Sequence, residues 1–237
     1  MNKAKEVETA LLKIGSPKKA ESSAWFFKTG KGQYGYGDKF IGVTIPEQRI
    51  IAKQFFDLSI TEIQKLLNSK LHECRMTALI ILVNQFKKAK SDEKTREVIY
   101  DFYLSNTKNI NNWDLVDASC EIVGLYLLTK NRAVLYKLAK SKSIWERRIA
   151  IVSTFTFIRN HEFEDTIKLS LALINDDQDL MHKAVGWMLR EMGKRSLETL
   201  SSFLDQYTLE LPRTTLRYAI EKYPENQRKQ YLSKRKA

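Results

Sequence analysis

The stretch Leu71–Ala89, LHECRMTALIILVNQFKKA, decides between helix and strand. Its small and apolar residues recur every four positions, at Cys74, Ala78, Leu82 and Phe86. This spacing places them on one face of a helix with 3.6 residues per turn. Neither proline nor glycine, the two residues that most destabilise helix interiors, interrupts the stretch. The pattern predicts an amphipathic helix over 71–89.

The same spacing extends along most of the chain. No proline occurs between Pro46 and Pro212, and five of the nine glycines lie between Gly30 and Gly42. An all-β domain would need turn residues about every 8–12 positions, and this chain lacks them over most of its length. The predicted fold class is therefore all-α. Helices are predicted over 2–14, 17–28, 46–57, 61–69, 71–89, 92–105, 113–129, 132–140, 144–159, 163–174, 178–193, 196–207 and 212–223, followed by a basic helical tail over about 226–237.

The short joints between these helices predict stacked helical pairs. Repeats of about 40 residues of this kind form a solenoid, whose inner surface is an extended groove. The chain carries 40 Lys+Arg against 28 Asp+Glu, a net charge of +12. A basic groove favours a polyanion as partner.

Composition also excludes several classes of protein. No run approaches the roughly 18 apolar residues of a membrane span, and two cysteines cannot form a disulfide framework. The charged N-terminus lacks the apolar core of a signal peptide. We expect a cytoplasmic, nucleoid-associated protein that does not bind membranes.

Other motifs do not support cofactor or metal binding. Gly30-Lys31-Gly32-Gln33-Tyr34-Gly35 fits G-x-G-x-x-G, but it follows a predicted helix rather than a strand and continues as loop. His72, His161 and His182 lack the paired spacing of a metal site. Cys74 and Cys120 fall on apolar faces and are predicted core residues. We expect neither a cofactor nor a bound metal.

Three segments place unusual residues on helix faces. Trp113 and Asp117 are four positions apart and lie on one face, which the small residues Cys120 and Gly124 continue and leave open beside the carboxylate. The alternative is a core tryptophan with a solvated or capping acid.

In the second segment Arg148 falls inside an apolar stripe, where arginine is rarely placed without an anionic partner. That partner is either internal, with Asp117 the obvious candidate, or a phosphate.

In the third segment Trp187 lies away from the apolar face of its helix and shares its side with Lys183, Arg190 and Lys194. An aromatic ring among cations suits a base or sugar beside a phosphate backbone. The alternative is packing against a neighbouring repeat.

In these segments the chain resembles the AlkD family of DNA glycosylases. The shared motifs are Trp113-Asp114-x-Val-Asp117, Ile144-Trp145-x-x-Arg148 and the run from Lys183 to Glu191, together with Gly42, Pro46 and Arg49 near the N-terminus. The resemblance implies a right-handed α-solenoid of HEAT-like repeats with a concave basic groove, a single domain over 1–237 and a monomer.

The resemblance further implies hydrolysis of the N-glycosidic bond of N3- or N7-alkylated purines in double-stranded DNA, by a monofunctional enzyme. The implied catalytic residues are Asp117, Trp113, Trp187 and Arg148. The implied DNA contacts are Arg147, Lys183, Arg190, Lys194, Phe26 and Arg49. The chain departs from the family at Phe26, where a tyrosine is expected, at Asn112, where a tryptophan is expected, and in a longer Gly30–Gly37 loop.

The chemistry is consistent with a single carboxylate. An alkylated purine already carries a positive charge and leaves as a neutral base, so the acid that other glycosidases need is dispensable. Two other classes stay open: a DNA-structure binder without catalysis, and a helical-repeat scaffold for proteins. Asp117 with both tryptophans favours the enzyme over the first, and the basic face around Trp187 favours DNA over the second.

Overall fold

Helices make up nearly all the regular structure of the protein, seen in a computed structural model that describes residues 2–234. Over that range the only β-pairing is one isolated bridge between Lys39 and Leu71. The all-α helical-repeat prediction is confirmed. The chain divides into two compact units after Ile122. The single domain, the right-handed superhelix and the concave groove stay predictions.

The first unit contains seven helices and a short 3-10 turn. They are α1 (Lys3–Ile14), α2 (Pro17–Phe26), α3 (Ile45–Gln54), α4 (Ile60–Leu67), α5 (His72–Lys88), α6 (Glu93–Ser105), the 3-10 turn (Thr107–Asn109) and α7 (Trp113–Ser119), before α8 (Glu121–Leu127). The second unit contains α9 (Ala133–Ala139), α10 (Ile144–Ser153), α11 (Phe155–Arg159), α12 (Glu164–Ala172), α13 (Asp179–Arg195), α14 (Leu197–Tyr207), α15 (Arg213–Ala219) and α16 (Glu225–Ser233).

Helix α5 is the centre of the first unit, where it packs against α3, α4 and α7. The predicted face is buried throughout, at Cys74, Ala78, Leu82 and Phe86. Burying one leucine or phenylalanine side chain stabilises the fold by about 1.5–3 kcal/mol. The helix therefore provides a firm base for α7, which carries Trp113 and Asp117.

A loop before α3 is fastened to the first turn of α5. The backbone N–H of His72 donates to the carbonyl of Lys39 at 2.8 Å. The carboxylate of Glu73 accepts the three backbone N–H groups of Ile41–Val43. Gly42 has φ +85° and lies so close to Ser16 that a Cβ would be 2.1 Å from its carbonyl oxygen. Only glycine satisfies both constraints.

Helix α13 is the centre of the second unit and packs against α10, α11, α12, α14 and α15. Its predicted apolar face is buried, at Met181, Ala184, Val185, Met188 and Met192. A Cβ on Gly186 would lie 2.5 Å from the Cβ of Tyr218. The glycine thus allows α15 to approach α13 closely, next to Trp187.

Two predicted helices were wrong because each is broken. The helix over 113–129 ends at Ser119 and resumes at Glu121, and that over 144–159 ends at Ser153 and resumes at Phe155. The hydroxyl of Ser119 donates to the carbonyl of Leu115, and that of Thr154 donates to the carbonyl of Ile151. Such bonds compete with the helical ladder and bend helices.

The described part of the predicted basic tail contains a helix, α16. Helix α16 covers part of the tail, whereas Arg235 and Lys236 lie outside the described residues. Among residues 2–234, no helix is long and apolar enough to cross a membrane.

Candidate functional site

The candidate residues of the first unit lie on the short helix α7. Its N-cap is Asn112, which is fully buried and whose side-chain oxygen accepts the N–H of Trp113 at 2.8 Å. Trp113 and Asp117 are both half-buried, one turn apart. The structure therefore presents an indole and a carboxylate together, both reachable from solvent.

Trp113 belongs to a cluster of aromatic rings. Phe27 stacks on it at 5.3 Å between ring centroids, and Phe26 meets it edge-on at 5.9 Å. Phe26 is 55% exposed, so it is available for the predicted DNA contact. Phe27 also stacks on Phe40 at 5.1 Å. Phe27 thus covers one face of the Trp113 ring. The DNA contact of Phe26 stays a prediction.

Beneath these rings lies a buried polar network that sequence analysis missed. The two ring nitrogens of His72 lie 3.0 Å from Asp38 Oδ2 and 2.8 Å from Asp114 Oδ2. Arg75 Nη2 donates to the other oxygen of Asp38 at 2.6 Å. Asn112 Nδ2 donates to Asp38 Oδ2 at 3.4 Å. We call His72, Asp38, Asp114 and Arg75 the His72 network.

The charges in this network shift the pKa values of its members. Burial alone would raise the pKa of Asp38, but the hydrogen bond and charge of His72, with Arg75, lower it below its ordinary value. Burial alone would lower the pKa of His72, but its hydrogen bonds to Asp114 and Asp38 raise it above its ordinary value. Each ion thus stabilises the charged form of its neighbour.

The open space expected beside Asp117 is not provided by Gly124, and that expectation was wrong. A Cβ on Gly124 would lie 2.5 Å from the carbonyl oxygen of Ser153 and from the hydroxyl of Thr156. Gly124 is therefore needed for close helix packing within the second unit. Cys120 is buried as predicted.

The candidate residues of the second unit include Arg148 on α10. Arg148 is only 6% exposed, and its Nη1 donates to the carbonyl of Leu180 at 2.9 Å. The sequence correctly placed this arginine within an apolar stripe. The guanidinium is held in a fixed position, and its catalytic role stays a prediction.

The guanidinium group of the neighbouring Arg147 is hydrogen-bonded to partners within the protein. Its Nε and Nη2 donate to the two carboxylate oxygens of Asp176 at 2.6 and 3.2 Å. Nη1 donates to the carbonyls of Ser141 and Lys142. A bidentate pair with a nearly buried carboxylate fixes the planar group. This geometry gives Arg147 a structural role, and its predicted DNA contact stays a prediction.

Trp187 on α13 is half-buried, as expected for a wall rather than a core residue. Its Nε1 donates to Glu191 Oε1 at 3.2 Å, and Phe155 lies 6.2 Å away between ring centroids. Glu191 therefore orients the indole.

The cations predicted to surround Trp187 each pair with a carboxylate. Lys183 pairs with Asp179, Arg190 with Glu221, and Lys194 with Glu191. All are half-buried or exposed. The face is consequently less positive than the sequence suggested, and any phosphate must compete with these carboxylates.

The remaining predicted residues lie on the surface of the first unit. Arg49 is exposed on α3. The Gly30–Gly37 segment forms turns between α2 and α3, as expected, and presents Tyr36 at 66% exposure. Within residues 2–234, no three His, Cys, Asp or Glu side chains group as metal ligands would.

Comparison with known proteins decides the family. The family described as "DNA alkylation repair enzyme" matches residues 7–223. The chain belongs to this family. The resemblance to AlkD is thereby confirmed, and the DNA alkylation repair family assigns the chain a role in alkylation repair with DNA as its implied substrate.

One solved structure supports the fold of this family. It is described as a predicted DNA alkylation repair enzyme from Enterococcus faecalis and is 18% identical, with a TM-score of 0.71. The match covers 89% of this chain and 97% of that chain. No curated protein matches the chain significantly.

Proposed function

We propose that this DNA alkylation repair protein is a monofunctional glycosylase. Its substrates are purines made cationic by alkylation at N3 or N7, in duplex DNA. The observation that carries the proposal is the pairing on α7 of a half-buried carboxylate, Asp117, with a half-buried indole, Trp113. An aromatic wall with a carboxylate suits a cationic base and the positive sugar that its loss creates.

The proposed reaction needs one carboxylate. The bond between C1′ of the sugar and the purine nitrogen breaks, and its electron pair neutralises the departing base. Asp117 stabilises the oxocarbenium-like sugar and orients the water that attacks C1′, whose proton passes to the carboxylate or to solvent. The products are a free alkylated purine and an abasic site, without strand cleavage.

Residues of the second unit have supporting roles in this proposal. Trp187, oriented by Glu191, forms a second aromatic wall for the lesion or its deoxyribose. A cation–π contact contributes about 0.5–2 kcal/mol. Arg148 supplies a fixed positive charge, which we propose acts on a backbone phosphate beside the lesion.

DNA binding is proposed to depend mainly on phosphate contacts. The contributing cations are Arg49 and the three that share the side of Trp187, namely Lys183, Arg190 and Lys194. Phe26 adds an exposed ring beside Trp113. Such contacts position the duplex without reading its sequence.

One observation favours the second candidate, a DNA-structure binder without catalysis. Trp25 is 75% exposed, with Lys28 Nζ 5.1 Å from its ring centroid, and Tyr36 is 66% exposed. Exposed rings beside lysines stack on unpaired bases without any chemistry. This function needs neither Asp117 nor Trp187.

An excision assay separates the two candidates. The protein is incubated with duplex DNA methylated by a simple alkylating agent, and released 3-methyladenine and 7-methylguanine are measured by mass spectrometry. Glycosylase activity predicts free base and heat-labile abasic sites. Tight DNA binding with no released base would leave the second candidate.

A further inference from the structure

His72 is the one histidine in the described part of the chain whose two ring nitrogens both face carboxylates, one buried (Asp38) and one half-buried (Asp114). Its side chain is 3% exposed, the ring of Phe40 stacks on it at 4.6 Å between centroids, and the ring of Phe27 packs on it at a tilt at 5.1 Å. A neutral imidazole has one donor, whereas the imidazolium has two. Only the charged form satisfies Asp38 and Asp114 together when both are ionised.

The surrounding charges agree with this form. Asp38 and Asp114 contribute two negative charges, while Arg75 and protonated His72 contribute two positive charges. Glu73, the next acid along α5, is engaged by the N–H groups of Ile41–Val43. Loss of the His72 proton would leave the buried network with a net negative charge, which is costly at low dielectric.

This network ends on the helix that carries the proposed active site. Asp114 bonds His72 through Oδ2 and accepts the N–H of Leu115 through Oδ1 at 2.8 Å. Asp38 also accepts from Asn112, the N-cap of α7. Both residues that flank Trp113 in sequence are therefore fastened to the same buried ions.

Helix α7 needs such anchors because it is short. Seven residues do not form a stable helix alone. Trp113 and Asp117 share one face of it, so a rotation of α7 would displace the indole and the carboxylate together.

We propose that His72 is a positioning residue, whose protonated ring bridges Asp38 and Asp114 and so fixes the first turn of α7, Trp113 and Asp117 included. The inference rests on the proposed function for its catalytic consequence. Its structural consequence, the ordering of α7, does not depend on that function.

The bridge has a defined pH dependence. The pKa of folded His72 lies above its ordinary 6.5, so the stabilisation is complete at lower pH and is lost as pH rises through the folded value. The groups that face His72 are Asp38 from the loop, Asp114 from α7 and Arg75 from its own helix. The pKa of Asp38 is lowered below its ordinary value by His72 and Arg75 despite burial, so Asp38 stays ionised over this range.

Two variants test the bridge. His72→Phe keeps an aromatic ring beside Phe27 and Phe40 but removes both hydrogen bonds. His72→Arg restores a permanently charged donor to both carboxylates. The matched control is His161→Asn, an exposed histidine with φ +61°, which asparagine tolerates.

Hydrogen exchange and single-turnover excision are measured on each variant between pH 6 and 9. In His72→Phe we expect exchange of α7 amides to rise at least tenfold, with α5 still protected, and excision at saturating DNA to fall at least tenfold. We expect His72→Arg to restore both and to remove the alkaline loss seen in the wild type. The control should match the wild type throughout.

Results that contradict the anchoring of α7 by His72 differ from results that contradict the proposed glycosylase activity. Wild-type exchange of α7 in His72→Phe would overturn the inference, whatever the activity. Should that variant fail to fold, the wild-type protection factors of α7, which are the intrinsic exchange rates divided by the observed rates, decide. Protection that falls with rising pH in the wild type but not in His72→Arg supports the bridge, and pH-independent protection in the wild type overturns it. A wild type that releases no base, with α7 responding as expected, would refute the glycosylase and leave the anchoring intact.

Discussion

Replacing Trp187 by alanine separates a binding wall from a core residue. An indole buries about 150–250 Å² when fully covered. Since Trp187 keeps only a minor part of its surface exposed, its truncation removes roughly 100–200 Å² of buried apolar surface. At about 25 cal/mol per Å², reduced for a compact unfolded chain, the free energy of unfolding should fall by about 2–4 kcal/mol.

Excision should also slow. Trp187→Ala removes the proposed second aromatic wall. We therefore expect single-turnover excision at saturating DNA to slow by at least ~10-fold, or about 1.4 kcal/mol of barrier. Trp187→Phe keeps an aromatic wall and should retain most of the rate, although it loses the bond to Glu191.

A core substitution in the same unit provides the matched control. Phe203 on α14 is 4% exposed, and Phe203→Ala should cost about 3–5 kcal/mol. Denaturant melts and excision rates are measured on both variants under conditions where each is folded. A larger loss of stability in Trp187→Ala than in Phe203→Ala, with the excision rate unchanged, would show that Trp187 is a core residue. That result would refute its role as an aromatic wall.

Three further predictions follow from packing, charge and burial. Gly124→Ala should lower the free energy of unfolding by about 1–3 kcal/mol in a denaturant melt, because its Cβ would overlap the carbonyl oxygen of Ser153; unchanged stability would contradict the packing. The logarithm of DNA affinity should fall with the logarithm of salt concentration, and Arg49→Ala should reduce the slope by about 1; an unchanged slope would remove Arg49 from the interface. Burial raises the pKa of Cys74 to about 11, so a thiol reagent at pH 8 should label Cys74 only after unfolding. Mass spectrometry of the native and the unfolded protein after treatment checks this.

The helical fold was predictable because the apolar spacing is long and regular. The faces of α5 and α13 are buried as the pattern indicates. The breaks after Ser119 and Ser153 were not predictable, since serine and threonine also occur in unbroken helices. Their effect depends on which carbonyl the hydroxyl meets.

The candidate site was predictable where partners are close in sequence. The i,i+4 rule already joins Trp187 to Glu191, so that bond was within reach of sequence reasoning. Asp38 and His72 are 34 residues apart, on a loop and a helix. No periodicity connects them, and only the fastening of the loop to α5 brings them together. The pairing of Arg147 with Asp176, 29 residues away, was unpredictable for the same reason.

Substitution of Asp117 by asparagine tests the central claim most directly. The change keeps the shape of the side chain and removes the charge that would stabilise the sugar cation. Asp101→Asn, an exposed acid on α6, is the matched control. Single-turnover release of 7-methylguanine is measured with DNA binding on the same preparations.

We expect Asp117→Asn to slow excision by at least ~10-fold, with DNA affinity retained and the control at the wild-type rate. Release of 7-methylguanine by Asp117→Asn at the wild-type rate would contradict the assignment of Asp117 as the catalytic carboxylate.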